Sequence, residues 1–537
     1  MCACEEINLK AKTLIYNARI YPQIAGLMVN AMAISGNRIA AIGDNLQQLS
    51  EFKRFSRINL KGKTVVPGLV DAHTHFYYFA LAYGRVSLDG LDSLDKCLAG
   101  IKAFAATLDR DEWLLGEGYS PDRFRKRIEP DRLLLDKVSG DRPSFLFSKD
   151  QHTAWVNTKA LELAGIDKNT PDPKGGKIER FSDGTPSGIL REGPAFKIIH
   201  DRIPEPSRKR VAVYYQKALE HAYRKGVTGV HSVDSSPAAF SWFSQLNEKK
   251  RLGLRINYYF PAAQLPLLLK NKIRYGAGDD FLRVAGIKIF SDGSLGSQTA
   301  LCFSKYIGSK NNYGIEVKSK TQMLDEIRQA ARLGMPAAIH AIGDRAVSNV
   351  LDVFEKSPQL KNAARQRIEH LQLCRRRDIL RLKKLNVVAS MQPSHCPSDI
   401  KMVRKYWGKR GADAYIFRTL IDQEIDLAFG SDVPIEPLDP IAGIAAAVRR
   451  AQPGSRDVLH PEQKITAAEA LYRFTVGPAI AVGQEHCRGR LLPGYPADFV
   501  VLSDDITKVP ANKIYDVEAL ATVLDGDIKY VHRSVNL

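Results

Sequence analysis

Eight short apolar runs recur through the middle of the chain: VVPGLVDAHTH, GVTGVHSVD, LRINYYF, VAGIKIFSDG, MPAAIHAIGD, RQRIEHLQ, NVVASMQP and IDLAFGSDVP. Each has the length and apolar continuity of a strand buried on both faces. Amphipathic stretches such as TQMLDEIRQAARLG and RRRDILRLKKL separate most of them. Strands alternating with helices require an α/β fold, either a closed (β/α)8 barrel of the TIM type or an open doubly wound sheet. Polar and ionisable residues stand at the C-terminal ends of many different runs. A barrel gathers those ends around one mouth, whereas an open sheet concentrates its site near a switch point, so the pattern favours the barrel.

The count of eight holds only if residues from about 86 to 205 form an insertion after the first strand. That stretch has its own strand candidate, RPSFLFSKDQH, and a Gly-rich section, PKGGKIERFSDGTPSGILRE. Insertions at a catalytic mouth commonly form lids and substrate walls. Outside the barrel, LIYNARIY, LMVNAMAISG and NRIAAIG near the start match GRLLPGYPADFVVL and ALATVLDGDIKYVH near the end. All are short strands punctuated by turns. The expected organisation is residues 1–66 and 488–537 as two halves of a small composite β-sandwich, with 67–487 as the barrel between them.

Composition closes off several alternatives. With 44% hydrophobic residues in 537, a large core is available. The formal charge of +19 comes from 78 Lys and Arg against 59 Asp and Glu. These are scattered, with only short clusters at Arg123–Arg127 and Arg375–Arg377 and no aromatic-interleaved basic repeat. The charge therefore reads as solvated surface, useful for attracting anionic substrates, and not as a nucleic-acid site. No run is long and apolar enough to span a bilayer. MCACEEINLK lacks the charged and apolar segments of a secretory signal. The seven cysteines include Cys2, Cys4, Cys97, Cys302, Cys374, Cys396 and Cys487 and show no disulfide or paired metal spacing. A reducing, cytoplasmic location is expected.

Within the strands, His73-Thr74-His75 is the first chemical signal. Residues i and i+2 of a strand face the same side, so two imidazoles can chelate one cation. Lys288 in VAGIKIFSDG has apolar surroundings, where the neutral amine is favoured over the ammonium. Such an amine can react with CO2 to give an anionic carbamate with two metal-binding oxygens. A salt-bridged or snorkelling lysine is the simpler alternative. His340 in PAAIHAIGD and His370 in QRIEHLQ each close an apolar run; either alone is as readily structural. Asp432 in LAFGSDVP can bind metal, take a proton from water, or cap its turn. Asp344 and Arg345, after His340, are expected to organise their loop through a salt bridge.

Taken in order, HxH, Lys, His, His and Asp stand on strands one, four, five, six and eight. This set resembles the metal-dependent amidohydrolase superfamily. The likeness extends to the branch called YtcJ-like, which includes N-substituted formamide deformylases. It is carried also by DQHTAWVNTKALELAGI, GGKIERFSDGTPSGILRE, KIFSDGSLGSQTA, IHAIGDRA, RIEHLQL, MQPSH, FGSDVPIEPLDP and GYPADFVVL. The resemblance implies that His73, His75 and Asp432 hold one metal, that His340 and His370 hold a second, and that carboxylated Lys288 bridges them. Glu192 is an alternative carboxylate donor. Such ligands suit one or two divalent ions, zinc first, with iron, manganese or nickel also compatible. The implied reaction is hydrolysis of a non-peptide C–N amide bond by metal-activated hydroxide, with Asp432 as proton shuttle. Tyr119, His152, Trp155, Glu192 and His395 are candidate substrate contacts. The expected partners are a small-molecule amide and, if the chain self-associates, a second copy in a homodimer; no nucleic acid and no membrane. Two rival readings are a deaminase of an amino-heterocycle on the same barrel, to which Lys288 is of little use, and a metal-free scaffold, which has no reason to keep every ligand.

Overall fold

The computed structural model describes residues 12–23, 28–121, 124, 130–149, 152–360 and 364–534. The N-terminal MCACEEINLK with Cys2 and Cys4, and all of the Arg123–Arg127 cluster except Phe124, lie outside the described residues. All eight apolar runs are strands of one parallel sheet: β1 (Leu69–Thr74), β2 (Val227–Ser232), β3 (Arg255–Pro261), β4 (Leu282–Phe290), β5 (Ala337–Ala341), β6 (Arg367–His370), β7 (Val388–Met391) and β8 (Leu427–Phe429). Neighbours in the sheet follow chain order, as right-handed β–α–β repetition requires. The end of β8 returns to β1. Asp432 N donates to His73 O at 2.8 Å, His75 N donates to Val433 O at 2.9 Å, and Thr74 bridges Val433 in parallel register. The sheet is thereby a nearly closed barrel.

Helices follow the strands because their apolar periodicity allows burial of one stripe only. The helix Asp344–Lys356 buries Val347, Val350, Leu351 and Phe354 and exposes Arg345, Glu355 and Lys356. Helix Lys320–Ala331 starts on a capping box, in which Ser319 accepts from the Gln322 amide and Gln322 reaches back to Ser319. Pro440–Arg449 starts on an Asp439 cap followed by proline at the first helical position.

Both chain ends contribute to the remaining sheets of the same compact unit, which comprises Met1–Phe79 and Leu219–Leu537. Strand Thr64–Pro67 pairs antiparallel with Phe499–Leu502, placing Val65 opposite Val501 and Val66 opposite Val500. A four-stranded sheet of Thr13–Tyr16, Ala31–Ser35, Arg38–Gly43 and Ser56–Asn59 lies against this five-stranded one. Ile15, Met32 and Ile34 share a core with Val65, Phe499 and Val501. A second compact unit, Ala80–Ala218, falls in the chain between β1 and β2. It carries a six-stranded sheet ordered Lys177–Arg180, Pro186–Arg191, Thr153–Val156, Ser144–Ser148, Leu114–Tyr119 and Arg85–Ser87. Cys97, Cys302, Cys374 and Cys396 are buried free thiols. Among the described residues no helix is long and apolar enough to cross a membrane.

Candidate metal centre

The mouth of the barrel is built first by β1. Asp71 and His73 lie on it, past an irregularity in its pairing with β2, and His75 follows directly at its end. The loop after β8 is fastened against them. Ser431 N donates to both oxygens of Asp71 at 3.0 Å, and His73 N donates to the same carboxylate at 3.1 Å. Burial pushes the Asp71 carboxyl up to about 6. Gly430 permits the approach: a Cβ there would lie 2.5 Å from His73 N and 2.6 Å from Asp71 Oδ1. These contacts set Asp432 beside the histidine pair, with its Oδ1 3.3 Å from His73 Nε2 and 3.4 Å from His75 Nε2. Burial raises the Asp432 carboxyl, yet the imidazoles of His73, His75 and His370 hold it well below the usual carboxylate range. Asp432 and His370 both adopt left-handed backbone, at φ 63° and 71°. That conformation costs a residue with a Cβ about 1–3 kcal/mol, and such costs concentrate at functional sites.

Three more histidines converge from β5, β6 and the segment after β7. The ring of His370 lies 4.9 Å from His73, 4.5 Å from His340 and 6.1 Å from His395, the last nearly parallel at 15°. The Nε2–H of His340 donates to Gly293 O at 3.0 Å, which leaves Nδ1 as its free lone pair. Burial lowers the His340 imidazole to about 3 and keeps it neutral. Lys288 is 3% exposed, and its Nζ lies 4.9 Å from the centre of the Phe290 ring. Burial pushes its ammonium down to about 8, against the opposing pull of Glu369 and Asp432.

Behind the histidines lies a layer that the sequence reading missed. Glu369 Oε2 sits 2.5 Å from His73 Nδ1 and fixes the tautomer that leaves Nε2 free. Arg367, two residues earlier on β6, grips Glu369 through both oxygens at 2.6 and 2.9 Å. Its remaining donors reach His231 Nδ1, Tyr259 Oη, Ala72 O and Ser390 Oγ at 2.7–3.1 Å. Burial alone would raise the Glu369 carboxyl; Arg367 and His73 hold it well below the usual range. The available signal was the same i, i+2 logic that singled out His73 and His75: in RIEH an Arg and a Glu alternate inside an apolar strand.

The donor set fits a divalent cation. Nε2 of His73, Nδ1 of His75, Nδ1 of His370, Nε2 of His395 and Nζ of Lys288 are shielded from solvent and carry no hydrogen bond among the described residues. Buried polar atoms are rarely left so, and His73 Nε2 and His395 Nε2, 3.3 and 3.8 Å from the Asp432 carboxylate, are placed to share a cation with it. Two groups of three have donor atoms within 4.8 Å of one another: His73, His75 and Asp432, and His370, His395 and Asp432. His395, expected only as a substrate contact, thus stands among the donors, while His340 belongs to neither close triad.

The other candidate contacts lie in the second unit. Tyr119 and Trp155 are in its core, their rings 5.7 Å apart, and Trp155 Nε1 donates to Asp131 O at 2.8 Å. Glu192 pairs with His152 at 3.1 Å, both side chains exposed. Asp344 and Arg345 do not form the expected salt bridge among the described residues. Asp344 instead accepts from Phe303 N at 3.0 Å and pins the preceding loop, leaving Arg345 exposed.

Comparison with known proteins gives a consistent picture. Residues 57–530 match the Amidohydrolase family. The putative amidohydrolase YtcJ of Bacillus subtilis is 32% identical, over 88% of this chain and 90% of that protein. The N-substituted formamide deformylase of Arthrobacter pascens is 26% identical, over 93% of this chain and 94% of that protein. Among solved structures, an uncharacterized metal-dependent hydrolase from Pyrococcus furiosus superposes with a TM-score of 0.77 at 30% identity, covering 92% of this chain and 99% of that one.

Proposed function

The chain belongs to the amidohydrolase family, and on that premise we propose that it is a metal-dependent hydrolase of a non-peptide C–N amide bond in a small molecule. The observation that carries the reading is the approach of three imidazoles to one ionised carboxylate: His73 and His75 Nε2 lie 3.3 and 3.4 Å from Asp432 Oδ1, and His395 Nε2 lies 3.8 Å from Oδ2. His73, His75 and Asp432 are the proposed primary ligands, with Lys288, His340 and His370 completing the set. Zinc is the proposed ion because the donors are imidazole nitrogen and carboxylate oxygen. A cation held there supplies Lewis acidity, which polarises a carbonyl and lowers the pKa of water.

The remaining steps belong to the chain. Glu369, clamped by Arg367, holds the His73 ring in one orientation and keeps the proton on Nδ1. Asp432 turns Oδ1 toward His73 and His75 and Oδ2 toward His395 Nε2, 3.8 Å away. In this reading Oδ2 accepts the proton of the attacking water and returns it to the amine that leaves. Lys288, as the free amine, adds through Nζ to CO2 with loss of one proton and so becomes a further anionic donor. Formamides or N-acyl amines are the proposed substrates, following the formamide deformylase among the relatives. The buried free thiols support a reducing, cytoplasmic location.

The test is to reconstitute the protein with zinc and offer N-formyl, N-acyl and cyclic-amide compounds. Release of an amine together with a carboxylate is expected. Ammonia liberated from amino-heterocycles instead would replace this reading with deamination, and absence of bound divalent metal after zinc-supplied expression would sink it.

A further inference from the structure

We propose that His370, His395 and Asp432 Oδ2 form an alternative cation site that shares His370 and Asp432 with the proposed working set, and that filling it inhibits the enzyme. The site differs in membership from the one implied by the superfamily resemblance, because His395 and not His340 stands as His370's partner. Their donor atoms lie within 4.8 Å of one another and all three residues are buried. The rings of His370 and His395 are nearly parallel at 6.1 Å. Two imidazoles buried side by side, each with an unsatisfied nitrogen, have few stabilising arrangements other than a shared cation.

The tautomer of His395 is decided by Gln372. The Gln372 Nε2 amide lies 3.4 Å from His395 Nδ1, while Gln372 Oε1 is buried without a hydrogen bond. Turning this amide by a half rotation makes Oε1 the acceptor of an Nδ1–H proton. One rotation thus satisfies Oε1 and presents the Nε2 lone pair to Asp432 Oδ2, 3.8 Å away. Gln372 is therefore a positioning residue for His395, as Glu369 is for His73.

The inhibitory consequence rests on the reading that Asp432 moves the proton. Oδ1 faces the His73–His75 pair and Oδ2 faces His395. A cation on Oδ2 leaves the carboxylate no oxygen free for a proton.

Calorimetric titration of chelator-stripped protein with zinc chloride tests the site without activity. The wild type is expected to show a weaker binding event beyond those retained by the His395→Ala variant. Gln372→Leu is expected to weaken that event about tenfold, the usual effect of removing a group that orients a ligand, with stronger events unchanged. It also serves if His395→Ala does not fold. Identical binding events in the wild type and both variants would overturn the site. In the activity arm, zinc at concentrations that fill the weaker site inhibits the wild type, and Gln372→Leu requires about tenfold more. Inhibition that is unmoved by Gln372→Leu while the weaker event shifts would overturn the inhibitory role. If no substrate is found, the primary reading fails and calorimetry still decides the site.

Discussion

Two buried charged systems occupy the barrel unit, and they are finished differently. At the start of β3, Arg255 donates from Nε to Asp498 at 2.7 Å and from Nη2 to Asp498 and Asp525 at 3.0 and 2.8 Å. Nη1 reaches Asp280 O at 3.2 Å, and Asp525 N closes the ring onto Asp498 at 2.7 Å. All its donor groups are used, and it ties the barrel to the sheet that carries Phe499–Leu502. At the opposite strand ends, His73, His75, His370, His395 and Lys288 each keep an unpartnered nitrogen. The first system is complete within the protein. The second leaves nitrogens unpaired among the described residues. Burial and charge are common to both, so neither property separates them; the unpaired donors do, and the proposed metal centre rests on that difference.

The strongest way to break the comparison is to remove chemistry from the second system without touching its shape. Asp432→Asn keeps size and one oxygen but no longer takes up a proton. We expect kcat to fall about a thousandfold, within the range for loss of a general base, with zinc content by elemental analysis retained and the urea midpoint little changed. Full turnover with normal zinc would remove the proton from Asp432. The converse change is Arg255→Met, which takes the bidentate partner from the part-buried Asp498 and Asp525 and leaves Asp498 the longer contact to Arg488 at 4.0 Å. Breaking a buried pair on one side costs about 3–5 kcal/mol, read as a lower urea midpoint. The kcat of protein still folded at 25 °C should stay within twofold. A variant that loses turnover yet unfolds normally would show that the first system is not merely structural.

How the two systems stood in the sequence follows from what each is made of. The barrel was legible because parallel strands buried on both faces leave continuous apolar runs, as in MPAAIHAIGD and IDLAFGSDVP. His73, His75, Lys288, His340, His370 and Asp432 stand out as candidates because each lies at or near the end of such a run. Glu369 and Arg367 were not singled out, since an Arg and a Glu two residues apart read as an ordinary surface pair until β6 is seen to bury both. His395 stood one step outside its strand, at the start of a helix, where strand-end logic has no hold. Arg255, Asp498 and Asp525 come from segments more than 240 residues apart, so no local pattern announces their meeting. The layer behind a candidate site is written in tertiary contacts, while the candidate ligands are written at element ends.

Glu369→Gln sharpens the comparison between ligands and their supports. The amide keeps one acceptor for Arg367 but loses the charge beside His73 Nδ1. Loss of such an orienting carboxylate typically weakens metal affinity about 10–100-fold. We expect that range in a zinc competition titration, with kcat recovered at saturating zinc. Unchanged affinity would mean that His73 is held by packing alone.

The last effect is a pH signature of the unfinished system in metal-free protein. Burial brings the Lys288 ammonium from its ordinary value near 10.5 down to about 8 in the folded state. Between those values the unfolded chain holds a proton that the folded chain has released, so stability contributed by this group rises with pH. Below about 8 both states are protonated and the full cost of burying the ammonium is felt. Above about 10.5 both are neutral and that cost is gone. Lys288→Met should therefore stabilise the metal-free protein most below pH 8, with the advantage shrinking steadily up to pH 10.5. Paired urea titrations of wild type and variant at pH 7, 9 and 10.5 measure the difference. An advantage constant across that window would show that Lys288 is not held as a depressed amine.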